Sequence, residues 1–267
     1  MPEPMILSSQ SGAVRTLTLN RPGALNSLTS AMHEQLLAAL DEAARDAAVR
    51  CVILTGAGRG FCAGQDLADP IVAPDTTAGA GSRDLGDVIK RFYKPLVQRL
   101  RAMPVPVVAA VNGVAAGAGA NLALNCDLVI AARSANFIQA FSKIGLIPDT
   151  GGTWLLPRLV GRGRALGLTL LGDKLSAADA ERIGLVWKCV DDADLADEAQ
   201  TLAQRLAAMP TRALVATRKA IDGAQLLTLD EALDEEALVQ RELGHARDYQ
   251  EGLAAFAARR QPRFLDR

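Results

Sequence analysis

Apolar positions fall into short runs along the first part of the chain and into helical stripes along the rest. Residues 13–20 are rich in Val, Leu and Thr and stop at Arg21-Pro22-Gly23, a pattern that predicts a strand closed by a turn. Met32, Leu36, Leu37, Leu40, Ala43 and Ala44 then recur at helical spacing, with Thr29 or Ser30 in the capping position. Residues 51–55 form a short apolar run of the kind buried on both faces of a sheet. Residues 56–66 are too glycine-rich for a regular element. Residues 69–86, dominated by Ala, Gly, Pro, Asp and Thr, read as a mobile surface loop. Leu85, Val88, Ile89, Phe92, Leu96 and Leu100 mark a second helix, which Pro95 is expected to kink or split.

A third strand is expected over 106–111, and the glycine-bearing stretch 112–120 leads from it into a short helix through Leu124. Strand, glycine turn and helix have then occurred twice. Further strands are read at 127–132 and 136–139, Thr150-Gly151-Gly152-Thr153 opens another helical stretch, and 185–190 is the last strand. Beyond about Ala193 the pattern is helical throughout: 195–209, 211–222, and Thr228 onward with alternating charges to the C-terminus. This shift divides the chain into a strand-rich α/β core, 1–193, and a helical region, 194–267. The second is too thin to make a core of its own, so its apolar stripes must pack on the first or on another subunit.

Composition narrows the function classes. With 267 residues, 49% of them hydrophobic, the chain can bury a large core, and its formal net charge of −1 leaves no electrostatic footprint for nucleic acid or an anionic membrane. Any anion must be held by a local site. Cys51, Cys62, Cys126 and Cys189 lie far apart, no C-x-x-C pair occurs and there are two histidines, which speaks against a metal site and for unpaired thiols in a reducing cytosol. No apolar run approaches the ~20 residues of a membrane span, and no basic stretch precedes an apolar one at the N-terminus. The reading is a cytoplasmic protein.

Two glycine-rich segments directly follow strands, so backbone N–H groups can approach a ligand there without an intervening side chain. They either converge on an oxyanion or merely permit tight turns. A dinucleotide-binding turn is disfavoured, because no Asp or Glu occurs between Leu128 and Ile147, where the ribose partner would fall. Asp149 lies in an apolar, glycine-rich stretch that raises a carboxyl pKa and suits proton transfer in both directions. An Asp before Gly151 is equally suited to capping a helix. His33 and His245 fall on expected helices among charged residues and read as solvated surface groups. Trp154 and Phe92 read as packing, or as walls of an aryl-sized pocket.

Phe61-Cys62-Ala63-Gly64-Gln65-Asp66-Leu67, Asn112-Gly113-Val114-Ala115-Ala116-Gly117-Ala118-Gly119 and Ile144-Gly145-Leu146-Ile147-Pro148-Asp149-Thr150-Gly151-Gly152-Thr153 resemble, in order and spacing, the three signature blocks of the crotonase (enoyl-CoA hydratase/isomerase) superfamily. The likeness runs on to Phe256-Ala257-Ala258-Arg259-Arg260-Gln261-Pro262-Arg263-Phe264, similar to the family's C-terminal ending, and so covers almost the whole chain. It implies an α/β fold, a crotonase-type spiral of ββα units with a C-terminal α-helical trimerisation region, assembled as a homotrimer or dimer of trimers. It implies acyl-CoA substrates, no cofactor beyond the CoA that belongs to the substrate, and a hydratase partner of the same pathway.

The resemblance places the two oxyanion-binding N–H groups at Gln65 and Ala118, and contacts to CoA and substrate at Ala24, Ala63, Asp66, Leu67 and Gly117. Arg259 and Arg260 are candidate clamps for a CoA phosphate, or simply charges at a helix C-terminus. The pair of glutamates that activates water in the family's hydratases is replaced by Asn121 and Phe141. The acid stands instead at Asp149, a position used by the family's isomerases. The resemblance therefore implies an acyl-CoA isomerase with Asp149 as its single proton-shuttling carboxylate.

Overall fold

The computed structural model describes residues 4–73 and 83–267. Of the loop expected over 69–86, residues 74–82 lie outside that range. The chain opens with a hairpin, β1 (Ile6–Ser11) antiparallel to β2 (Val14–Leu19), followed by α1 (Ser30–Arg45). Three strand pairs come next. β3 (Cys51–Gly56) with β4 (Gly60–Cys62), β5 (Val107–Val111) with β6 (Val114–Ala116), and β7 (Leu128–Ala132) with β8 (Asn136–Ile138) are each followed by helix. The first strand of each pair enters a six-stranded sheet, order β1-β2-β3-β5-β7-β10, and the second enters a four-stranded sheet, order β4-β6-β8-β9. This is the spiral of ββα units that the resemblance implies. Strands β9 (Lys174–Ser176) and β10 (Lys188–Val190) close the two sheets.

The central strands of the large sheet are parallel and buried on both faces, which is why β5 reads Val-Val-Ala-Ala-Val with no polar alternation. Strands β1, β4, β6 and β9 are absent from the sequence reading. β4 and β6 are three residues each inside glycine-rich segments, so neither has the length or periodicity that marks a strand.

Helix α1 is capped as expected, with Thr29 Oγ1 accepting from Met32 N at 3.2 Å, and it buries Met32, Leu36, Leu40 and Ala43 along one stripe. The second helix is divided just ahead of Pro95, which stands in the first turn of its last part. Its turns α2 (Leu85–Val88) and α3 (Lys94–Arg101) are joined by a π turn at Ile89–Tyr93, in which Lys94 N–H bonds to Ile89 O five residues back. Proline lacks the N–H that an α-helix needs at that point, and the wider turn just before it absorbs the mismatch.

α4 (Ala118–Leu124), α5 (Gly152–Leu171, interrupted at Gly161) and α6 (Ala177–Arg182) complete the core. The helical region then begins within that core. α7 (Leu195–Ala208) lies on the large sheet and buries Leu195, Ala199, Ala203 and Ala207, one residue every four. α8 (Thr211–Ala224) and α9 (Leu229–Gly244) pack mainly on each other, and α9 buries no side chain. α10 (Arg247–Ala257) is the last helix, so helix does not continue to the C-terminus. The segment after it turns back: Asp248 Oδ1 and Oδ2 accept from the N–H groups of Leu265 and Asp266, and Arg267 Nη2 donates to the carbonyls of Ala43 and Ala44 at the end of α1. Among the described residues no helix is long and apolar enough to cross a membrane.

His33 corrects the sequence reading, whereas His245 is exposed as expected. His33 is 2% exposed on the inner face of α1, against the rings of Phe92 and Tyr93, and among the described residues neither ring nitrogen has a hydrogen-bond partner. Burial holds its pKa down to about 4, the charge of Asp69 working the other way. In the unfolded chain an imidazole titrates near 6.5, so the unfolded state takes up a proton that the native state refuses, and stability falls as pH drops from about 6.5 to about 4. His33→Leu should remove this dependence. Between pH 7 and pH 5, urea unfolding should show the wild type losing about 2 kcal/mol more than the variant.

Candidate active site

A cavity of about 560 Å³ opens between the loops that follow β4, β6 and β8 and the helix around the π turn. Its walls include Ala63, Gly64, Gln65 and Leu67 from the first loop, Gly117 and Ala118 from the second, and Phe141, Pro148 and Asp149 from the third. The three sequence blocks, distant in the chain, therefore face one space.

Gln65 is placed by a single parallel bridge to Leu28. Leu28 N–H donates to Gly64 O at 2.7 Å and Asp66 N–H donates to Leu28 O at 2.9 Å, so the Gln65 N–H between them points the other way. Gly64 makes this possible, with φ of +92° and a Cβ position that would fall 2.8 Å from Ala116 O and 3.5 Å from Ala118 N. Ala118 is the first residue of α4, where backbone N–H groups have no helical acceptor. Among the described residues neither amide donates to another group. Two free N–H groups thus line the cleft within one close approach of the loops, the arrangement that meets charge developing on a carbonyl oxygen.

Asp149 is the acid of the cleft. Burial raises its carboxyl to about 6, although the hydrogen bond from Thr150 Oγ1 to Oδ1, at 2.8 Å, acts in the opposite direction. Its side chain caps no helix: the residue before α5 is Gly151, and no side chain bonds to the helix start. Buried amides hold its backbone instead. Asn121 Nδ2 donates to Asp149 O at 2.9 Å, Asn125 Nδ2 to Thr150 O at 2.8 Å, and Gln139 Nε2 to Asn121 Oδ1 at 2.9 Å. Asn121 therefore has both ends of its amide engaged below the acid, while Phe141 presents its ring to the cleft beside Gly117.

Not every expected residue comes to this place. Ala24 lies in the turn Pro22–Ala24 and does not line the cavity. Asp66 is adjacent to it but engaged with Arg21 at 2.9 Å and with Ala68 N–H at 3.0 Å; burial acts to raise its pKa, and these partners hold it below the ordinary value. Arg260 is paired with both carboxylate oxygens of Glu251 at 2.6 and 2.9 Å, and Arg259 follows α10; neither lines the cavity. Phe92 packs toward the core and Trp154 lies between the guanidinium groups of Arg101 and Arg158, so neither is an aryl wall.

Tyr93 was missed. It is 2% exposed, lines the cleft, and donates its hydroxyl to Gln65 Oε1 at 2.6 Å. Burial, and then the charge of Asp149, push its pKa well above the ordinary value, so the hydroxyl stays protonated. A regular helical stripe puts Phe92 inward; the π turn turns Tyr93 inward beside it. Pro95 was the one signal in the sequence.

Residues 9–267 match the family model described as enoyl-CoA hydratase/isomerase. The chain is 57% identical over 259 residues to the 1,2-epoxyphenylacetyl-CoA isomerase of Escherichia coli, covering 97% of each chain. It is 36% identical over 262 residues to the 2,3-dehydroadipyl-CoA hydratase of the same organism, covering 98% of this chain and 99% of that one. The crystal structure of an enoyl-CoA hydratase from Bacillus anthracis superposes with a TM-score of 0.90 at 33% identity, over 99% of this chain and 100% of that chain.

The amide network generates its own test. Asn121→Ala leaves the Gln139 amide N–H unpaired in a buried setting and takes one of two donors from the carbonyl of Asp149, to which Gly152 N–H still donates at 2.7 Å, so it should lower the unfolding free energy by about 1 to 3 kcal/mol in a urea titration.

Proposed function

The chain belongs to the enoyl-CoA hydratase/isomerase family, and on that premise we propose that it is an acyl-CoA isomerase acting on ring-1,2-epoxyphenylacetyl-CoA and on double bonds of unsaturated acyl-CoAs. The observation that carries the reading is Asp149: among the described residues it is the only carboxylate lining the cleft, and its pKa of about 6 suits it to take a proton and give it back near neutrality. The ring-epoxide substrate comes from the Escherichia coli relative.

The thioester oxygen lies between the N–H groups of Gln65 and Ala118. Asp149 removes the proton from the carbon next to the carbonyl, and the resulting enolate oxygen is met by those fixed dipoles, each worth about 2.7 to 4 kcal/mol in comparable sites. For an unsaturated chain the proton returns at the far carbon of the conjugated system. For the ring epoxide it returns to a ring carbon as the ring opens to the seven-membered oxepin. Substrate and product are isomers, so no water, oxidant or reductant is consumed. Ala63, Leu67 and Gly117 border the substrate, and Ala24, Asp66, Arg259 and Arg260 remain proposals for contacts to CoA.

The same reading makes the chain a cytosolic homotrimer or dimer of trimers. Support for assembly comes from α8 to α10, where Ile221, Leu226, Leu229, Leu233, Leu253 and Phe256 are exposed apolar side chains, Phe256 at 87%. Such a surface on one subunit calls for a partner. Four free thiols, none in a disulfide, fit a reducing compartment.

Turnover of synthetic ring-epoxide thioester, followed by the absorbance of the oxepin product, is the direct test, with hydration of a short trans-enoyl-CoA as the control. Asp149→Asn should abolish isomerisation while leaving CoA-thioester affinity nearly unchanged, and wild-type kcat/KM should fall below about pH 6 as the base is protonated. Efficient hydration by the wild type, or isomerisation by the variant, would sink the single-acid mechanism. Sedimentation velocity at micromolar concentration should show a trimer or larger, and deletion from Leu227 should dissociate or unfold it.

A further inference from the structure

We propose that Tyr93 is a positioning residue, whose hydroxyl fixes the Gln65 side chain and thereby the direction of the Gln65 N–H that receives the thioester oxygen. This rests on the isomerase reading above and adds a residue to its machinery. The Gln65 side chain is clamped at both ends: Oε1 accepts from Tyr93 Oη at 2.6 Å, and Nε2 donates to the carbonyl of Asp66 at 3.2 Å. The hydrogen bond from Leu28 to Gly64 O fixes one edge of the preceding peptide plane, but Gly64 at φ +92° gives that plane little side-chain support. A rigid strut from the neighbouring helix supplies what the glycine lacks.

The strut is itself locked. The His33 ring meets the Tyr93 ring edge-on, with centroids 4.3 Å apart at 75°, and the aromatic pair is buried. His33 stays neutral near pH 7 and, among the described residues, its ring nitrogens make no hydrogen bond, so it does not compete for the Tyr93 hydroxyl. Burial and the neighbouring Asp149 charge keep that hydroxyl a donor. Finally, Tyr93 faces inward because a π turn, a rare element that recurs at functional sites, ends at this residue.

Tyr93→Phe, Gln65→Ala and the double variant test the inference, with isomerisation kinetics on an unsaturated acyl-CoA and the absorption spectrum of bound cinnamoyl-CoA. Polarising a conjugated thioester carbonyl lowers its excitation energy, so the red shift of the probe reports how well the oxyanion amides are aimed. Each single variant should lose about five- to tenfold in kcat with KM held within about twofold, far less than the loss of an oxyanion donor. The red shift should shrink in both, the double variant should be no worse than the worse single, and the acid limb of the pH profile should stay in place. Additive losses, a change in KM alone, or a displaced acid limb beside an undiminished red shift would overturn the role through Gln65. Gln65→Ala keeps the test open if Tyr93→Phe folds poorly. A wild type that neither isomerises nor shifts the probe overturns the isomerase reading and this inference with it. A wild type that does both, beside a Tyr93→Phe variant equal to it, overturns this inference alone.

Discussion

Close approach of two backbone loops is the constraint on which the cleft depends. A methyl group on Gly119 would lie 2.2 Å from the carbonyl oxygen of Cys62, and one on Gly64 would lie 2.8 Å from that of Ala116. No side chain fits in either gap, so the loops after β4 and β6 touch backbone to backbone, as their parallel strands require. That contact brings the amide that Leu28 leaves unpaired on Gln65 beside the start of α4. The large sheet underneath is ordinary packing; the small sheet exists to make this contact.

The acid is held by a different economy of forces. Thr150, a β-branched residue, sits at φ +52°, a conformation that costs on the order of 1–3 kcal/mol, directly after Asp149. Three buried amide side chains offset the strain by satisfying the carbonyls on either side of that peptide and by bracing one another. Asn121 belongs to this set. The family resemblance puts a water-activating glutamate at this position in hydratases, so one substitution both removes that carboxylate and supplies a support for the acid that remains.

Much of this was legible from the chain itself. The buried strands, the Thr29 cap, the two glycine loops and the isolated Asp149 all depend on local composition, and each lies where the sequence pattern puts it. Tyr93 and His33 were not legible for different reasons. The placement of Tyr93 depends on helical phase, which the π turn before Pro95 changes, whereas His33 keeps the regular apolar stripe of α1, three residues before Leu36 and seven before Leu40, and only its polar ring hides that position. Likewise β4 and β6 are strands only because other strands pair with them, a long-range cause that three residues cannot signal.

The return of the chain to α1 has a consequence for synthesis. The last carbonyls of a helix lack partners within it, and in α1 those of Ala43 and Ala44 are met by Arg267, more than two hundred residues further on. During translation α1 emerges early but waits for its closing partner until every helix from α2 to α10 has been made. The order of manufacture and the order of completion are therefore opposed, and the nascent core stays open at that corner while the later helices are still being made.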